Sequence, residues 1–261
     1  MSELITIGLD LAKNVFQVHG VDASGLATVR RQLRRGEVVK FFRGLAPCLV
    51  GMEACATSHY WAREITALGH RVRLLPPAHV KPYVKRGKKN DAADAAAICE
   101  AVTRPQMRFV PVKSAEQQGV LILHRTRDIM IRQRTMMINA LRGHMAEFGV
   151  VTGQGRGGFA TLMELLEAAD GGVVPQAARV ALQLMVTQIQ AVNEQIAALD
   201  KEIVVRHRRS EPSCNLATIP GIGPLIASAI TATVPDVSAF ASGRQFAAWI
   251  GLNYGDTSLM E

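Results

Sequence analysis

Two aspartates three residues apart, Asp91 and Asp94, stand in the run Lys88-Lys89-Asn90-Asp91-Ala92-Ala93-Asp94-Ala95-Ala96-Ala97-Ile98-Cys99-Glu100-Ala101. The run is predicted to be helical, because alanine has the highest intrinsic helix propensity and Asn90 offers a side-chain oxygen to cap the first turn. At that spacing both carboxylates share one face, with Cβ atoms about 5–6 Å apart, near the positive end of the helix macrodipole. Such a pair either complements the dipole or holds a hard cation through oxygen ligands. Which of the two it does depends on the other acids that the fold brings beside it.

The preceding residues supply two further acids at strand ends. Leu4 to Asp10 reads as a buried strand, in which aliphatic and β-branched residues run up to an acid. Val15 to Asp22 alternates as a second strand, Asp22-Ala23-Ser24-Gly25 makes the turn, and Leu26 to Leu33 returns as a third. Glu37 to Leu45 is a short helix, and Cys48 to Glu53 is a fourth strand that again ends on an acid. Ser58 to Leu68 is a helix closed by Gly69, and Arg71 to Leu75 is a fifth strand stopped by Pro76-Pro77. Three strands, helix, strand, helix, strand, helix predicts an α/β domain with a mixed sheet.

This order resembles the ribonuclease H-like fold, in which a first-strand aspartate, a fourth-strand acid and acids on a later helix converge on divalent metal. Asp10, Glu53, Asp91 and Asp94 occupy those places, so the resemblance implies that these four are the catalytic and metal-holding residues. Four carboxylates together repel one another unless cations neutralise them, and Mg²⁺ or Mn²⁺ is the expected cofactor. The strand ending Ile7-Gly8-Leu9-Asp10 also opens actin-like sugar kinases, but there a glycine and a hydroxyl residue follow. Here Leu11-Ala12-Lys13 follow, and their side chains obstruct the close backbone approach that a phosphate loop needs.

The wording of several motifs is similar to that of one insertion-sequence family of DEDD transposases, the one-hundred-and-ten/eleven-eleven group. The motifs are Ile7-Gly8-Leu9-Asp10-Leu11-Ala12-Lys13, Gly51-Met52-Glu53-Ala54-Cys55, His59-Tyr60-Trp61-Ala62-Arg63, Pro77-Ala78-His79-Val80-Lys81-Pro82-Tyr83 and Lys88 to Ala95. The segment Ser242 to Leu252 resembles the family's C-terminal transposase box. The resemblance implies a RuvC-like N-terminal domain, metal-dependent DNA recombination and transposition, and guidance by a structured RNA. Past Leu252 the chain departs from the pattern: Ser258 lies near the place of the family's attacking serine but lacks the glycines that should follow it. A truncated transposase is therefore expected, with Ser258 an ordinary tail residue.

Charge agrees with a nucleic-acid partner. Thirty Lys and Arg against 22 Asp and Glu give +8 over 261 residues. The strongest clusters are Arg30, Arg31, Arg34 and Arg35, and the run Lys85-Arg86-Gly87-Lys88-Lys89, which precedes the acidic helix where a phosphate backbone would lie. The cysteines Cys48, Cys55, Cys99 and Cys214 show neither C-x-x-C spacing nor a pairing pattern, which fits a reducing cytoplasm. No long uncharged apolar stretch or leader pattern occurs, so a cytoplasmic protein without a membrane partner is expected.

From Ser114 a long basic helix is predicted, closed at Gly143 to Gly149, and Gly153-Gln154-Gly155-Arg156-Gly157-Gly158 reads as a flexible linker. A second long helix, Pro175 to about Arg209, carries Leu182, Met185, Ile189, Val192, Ile196, Leu199 and Ile203 as an apolar stripe, which suits pairing within the chain or across subunits. Leu216 to Ile230, with Pro220-Gly221-Ile222-Gly223-Pro224, resembles a helix-hairpin-helix turn whose Gly221 and Gly223 admit a phosphate. The expected organisation is a RuvC-like domain over 1–111, a helical and possibly coiled-coil region over 112–210, and a partial C-terminal transposase domain over 211–261. Two other functions fit the same residues: a stand-alone metal-dependent nuclease, and a non-catalytic nucleic-acid-binding remnant. The family resemblance implies DNA, guide RNA and a homo-oligomeric assembly as partners.

Overall fold

The computed structural model describes residues 4–84, 91–153, 155–167, 174–234, 238 and 240–249, without the side chains of residues 91, 156, 167 and 249. It is a mixed α/β structure with one five-stranded sheet and mostly helical content elsewhere. By its contacts the chain divides into two compact units, one of residues 1–115 with 234–261 and one of residues 116–233.

In the first unit, β1 (Thr6–Asp10), β2 (Val15–Val21) and β3 (Ala27–Arg34) form an antiparallel meander. The β2–β3 turn is tied by Asp22, whose Oδ1 accepts from the amides of Ser24 and Leu26, with Gly25 in the left-handed region at φ 80°. A short 3-10 turn, Arg35–Glu37, leads into α1 (Val38–Arg43). Strand β4 (Leu49–Glu53) then inserts parallel to β1, α2 (Ser58–Ala67) crosses back, and β5 (Arg71–Leu75) lies parallel to β4. The strand order is β3-β2-β1-β4-β5.

Strand alternation divides the sheet residues between two faces. Ile7, Leu9, Phe16, Leu33, Val50 and Met52 are buried on one face with Val38 and Phe42 of α1 and Trp61 and Ile65 of α2. Each such side chain contributes about 1.5–3 kcal/mol by leaving water. Trp61 meets Phe16 edge to face at 5.2 Å, whereas its neighbour Tyr60 stays 43% exposed against the indole edge. His59 works outside this core, with Nδ1 accepting the Lys113 amide. Helices α3 (Pro77–Val80) and α4 (Asp91–Ala101) follow β5, and α4 packs on the opposite face, against β1, β2 and β4.

The second unit is helical: α5 (Ala115–Ala146), α6 (Gly155–Glu167), α7 (Gln176–Arg208), α8 (Glu211–Leu216) and α9 (Pro224–Thr233). The two long helices pair within the chain. Arg127 pairs with Asp200 and Arg134 donates to Asn193, so seven residues forward on α5 match seven back on α7, which makes the pair antiparallel. Leu141 and Met145 of α5 share a core with Leu162 and Leu166 of α6 and Leu182 and Ile189 of α7.

One expectation fails here. The glycine-rich stretch expected as a linker instead begins α6 at Gly155. The apolar face of Phe159, Leu162, Met163 and Leu166 draws the segment onto the α5–α7 core, and at Gly158 an added Cβ would collide with the Gly153 carbonyl. The first long helix does close within the expected stretch: α5 ends at Ala146, and Gly149 follows in the left-handed region at φ 76°. Of the C-terminal box, α10 (Gly243–Trp249) is described, capped by Ser242 Oγ on the Gln245 amide and by Gln245 Oε1 on the Ala241 amide.

Candidate active site

Asp10 and Glu53 close adjacent parallel strands. Leu9 of β1 stands opposite Met52 of β4, so the next residue of each strand is an acid. Both acids share the face of Gly8 and Gly51, which are themselves register partners. That face receives α4.

The two glycines set how closely the helix can lie. A Cβ at Gly8 would collide with the carbonyl oxygen of Ala95 and stand 2.5 Å from the Cys99 amide nitrogen, while one at Gly51 would stand 2.8 Å from Val102 Cβ. Backbone therefore meets backbone, and the Cys99 thiol reaches the Thr6 carbonyl at 3.7 Å. Asp94, the residue before Ala95, is carried in this way to the strand ends where Asp10 and Glu53 lie. No side chain at position 8 could do the same. A strand interrupted by glycine is a sequence sign of close backbone approach, yet the motif reading of Ile7-Gly8-Leu9-Asp10 attended to the acid and not to the glycine.

Three of the four predicted acids lie close enough for charge on two of them to act on the third. Partial burial pushes the Glu53 carboxyl up from its ordinary range, and the negative charges of Asp10 and then Asp94 push it in the same direction. Asp10, Glu53 and Asp94 are each only partly buried, so water and ions reach them. Asp91 opens α4, but its side chain lies outside the described residues. Asn90, Lys85, Arg86, Lys88 and Lys89 lie outside them too, as does Ser258. Among the described residues no three His, Cys, Asp or Glu side chains form a closed ligand set for an ion.

The donor chemistry fits a hard divalent cation. Asp10, Glu53 and Asp94 offer carboxylate oxygens alone, the set that Mg²⁺ and Mn²⁺ favour over thiophilic metals. Cys55 is exposed nearby, and partial desolvation of its thiol with the charges of Glu53 and Asp10 raises its pKa.

The turn after Glu53 is fixed by its own hydrogen bonds. The Ala54 amide donates to the Leu75 carbonyl at 2.8 Å, and the Ser58 amide and hydroxyl donate to the Cys55 carbonyl at 3.2 and 2.8 Å. Between them Thr57 adopts φ 73°, a left-handed conformation unfavourable for a branched side chain, and among the described residues no other non-glycine does so. Strain of this kind persists where the surroundings over-determine the backbone. Nothing in the sequence marks Thr57. Farther along the same face His19 lies opposite Arg30, and burial together with that guanidinium lowers its pKa.

In the second unit, the turn joining α8 to α9 places Gly221 at φ 87°, with the Ile222 amide donating to Ile219 and both Gly221 and Gly223 exposed. Pro224 then occupies the first position of α9.

The site is thus a glycine-seated helix over a mixed α/β sheet, with acids gathered at the ends of its central strands. Residues 7–149 match a family profile described as transposase, and residues 213–258 match one described as the transposase IS116/IS110/IS902 family. The chain is 50% identical over 250 residues to a probable family 20 transposase of Pseudomonas aeruginosa, covering 95% of this chain and 74% of that protein. It is 46% identical over 258 residues to the putative transposase y4pF/y4sB of Sinorhizobium fredii, covering 99% and 66%. It is 36% identical over 253 residues to the transposase for insertion sequence element IS1111A of Coxiella burnetii, covering 97% and 69%. The chain thus belongs to the IS116/IS110/IS902 family of insertion-sequence transposases and spans 66% of the length of one of these relatives and 74% of another. Among the described residues no helix is long and apolar enough to cross a membrane.

Proposed function

We propose that this chain acts in DNA recombination as a divalent-metal-dependent transposase, with a ribonuclease H-like, RuvC-like domain over 1–111, a helical region over 112–210 and a C-terminal transposase domain over 211–261. Asp10, Glu53, Asp91 and Asp94 are the residues that hold Mg²⁺ or Mn²⁺. The observation that supports this most is geometric: Asp10 and Glu53 end adjacent parallel strands on the face where Gly8 seats Ala95, next to Asp94. The raised Glu53 carboxyl, pushed up by burial and then by Asp10 and Asp94, agrees with that placement. Carboxylates are brought within mutual repulsion at a cost in stability, and a bound cation reverses the sign of that cost. When bound, the ion supplies charge stabilisation to a phosphodiester under attack. The chain's own contribution is positional: Gly8 seats α4 so that Asp94 reaches the strand ends, and the tied turn at Ala54 to Ser58 fixes Glu53.

DNA is the substrate, consistent with a net charge of +8. The run Lys85, Arg86, Lys88 and Lys89, which precedes the acidic helix in sequence, contacts its backbone. The α8–α9 turn is a helix-hairpin-helix element, with Gly221 and Gly223 keeping side chains out of the way of a phosphate. Guidance by a structured RNA, assembly as a homo-oligomer and action in the cytoplasm follow from the family resemblance.

A strand-transfer assay tests this reading. With donor and target DNA, the guide RNA and Mn²⁺, the protein is expected to yield strand breakage and joined products, both lost in Asp10→Asn and in Asp94→Asn. Breakage without joining would instead identify a nuclease. Binding without any strand chemistry would identify a remnant.

A further inference from the structure

The four clustered arginines of β3 and the turn after it do not form one patch. Strand alternation sends Val29, Arg31 and Leu33 to the face of the α1–α2 core and Arg30, Gln32 and Arg34 to the face that carries the carboxylates. Arg35 belongs with the core face, since its guanidinium stacks 5.1 Å from the Trp61 ring and 5.9 Å from Phe16. Half of the cluster is thereby separated from the other half by the sheet.

Register places the second half beside the site. Asp10 stands opposite Gln17, and Gln17 stands opposite Gln32. With strands about 4.8 Å apart, Gln32 lies roughly 10 Å from Asp10 across the sheet, flanked about 6–7 Å on either side along β3 by Arg30 and Arg34. Helix α4 packs on β1, β2 and β4. The side chains of Arg30, Gln32 and Arg34 are all exposed at the sheet edge, and neither arginine has an ion-pair partner among the described residues. Two unpaired guanidiniums with an amide between them suit successive phosphates, because guanidinium forks match phosphate oxygens and an amide donates to either neighbour.

We propose that Arg30, Gln32 and Arg34 form a track on which the DNA strand destined for the carboxylates lays its phosphates, and that Arg31 and Arg35 take no part. This rests on the functional reading above, which makes DNA the substrate of the adjacent acids. Gln17, between Gln32 and Asp10, is buried where α4 packs on β2, so the track runs along β3 from Arg30 to Arg34 and turns toward Asp10 around the end of the sheet, past the exposed Val15 opposite Arg34. It also accounts for an edge strand of this length carrying cations where pairing with another chain would otherwise be invited.

The test is fluorescence anisotropy of the full chain with a labelled single-stranded DNA oligonucleotide and its RNA counterpart over a salt series, in the absence of divalent metal. Each phosphate contact on a single strand adds about 0.7 to the magnitude of the slope of log affinity against log salt. Arg30→Gln with Arg34→Gln is expected to lower that slope on DNA by about 1.4, Arg34→Gln alone by about half as much, and Arg31→Gln not at all. Thermal melting identifies any variant that has lost its fold, and the single Arg34→Gln then carries the test. An unchanged slope in the double variant, an equal loss in Arg31→Gln, or a loss confined to RNA overturns the track while leaving DNA binding by the parent intact. Absence of salt-dependent DNA binding in the parent itself overturns both the track and the functional reading.

Discussion

The seat of α4 on the sheet and the pairing of α5 with α7 are both helix packings, specified in opposite ways. At the α4 seat the decisive residues are those that lack side chains: Gly8 lets strand backbone meet helix backbone, with Cys99 hydrogen-bonding to Thr6, and Gly51 leaves room for the Val102 side chain. Between α5 and α7 the decisive residues are large, as Leu141, Met145, Leu182 and Ile189 fill the seam and Arg127 and Arg134 lock it at two points. The first contact leaves no room for a side chain and sets how near the strand ends Asp94 lies. The second averages over many side chains and sets a length and a direction. A catalytic arrangement needs the former kind of contact, and a spacer or scaffold is served by the latter.

Substitution at the seat should therefore give the largest effect. Gly8→Val is expected to cost about 3 kcal/mol in chemical denaturation, the upper end of overpacking, because the obstacle is helix backbone that cannot rotate away. Lifting α4 would also expose Cys99, a buried thiol whose pKa burial raises to about 11, so thiol labelling at neutral pH should detect Cys99 in Gly8→Val and not in the parent. Gly51→Ala should cost less, about 1–2 kcal/mol, because the added methyl meets one valine side chain just past α4 rather than the backbone of the helix.

Glu53→Gln should act in the opposite direction and stabilise the metal-free protein at neutral pH. The folded carboxyl is raised above its unfolded value of about 4.3, so the stability linked to its proton is present at acid pH and is lost as pH rises through the folded value. Thermal melting across that range should show a fall in the parent that is shallower in Glu53→Gln. At the helix pair, Arg127→Ala removes a partly exposed ion pair with Asp200 and should cost only about 0.2–1 kcal/mol, less in high salt. A cost above that of Gly51→Ala would invert the comparison.

The same contrast explains what the sequence revealed. Strand and helix types, the meander and the order of elements were legible, because alternation and the alanine run each encode one local geometry. Both acids at strand ends, Asp10 and Glu53, were legible for the same reason. The antiparallel pairing of α5 and α7 was left between two options, since an apolar stripe states that a helix must be covered and not by what. Gly155 to Gly158 were misread because glycine content speaks of loops, while the Phe159 to Leu166 face that pulls them into α6 lies downstream. The seat at Gly8, the left-handed Thr57 and the splitting of the β3 arginines by face required knowledge of which element lies on which side.

If the acids at the strand ends and on α4 make one cation site, calorimetric titration with Mn²⁺ separates the parent from the Asp10→Asn, Asp94→Asn double variant. Heat of binding is expected in the parent and its loss in the double variant, with the fold of both intact by circular dichroism. Equal affinity in the two proteins would show that Asp10 and Asp94 hold no shared ion.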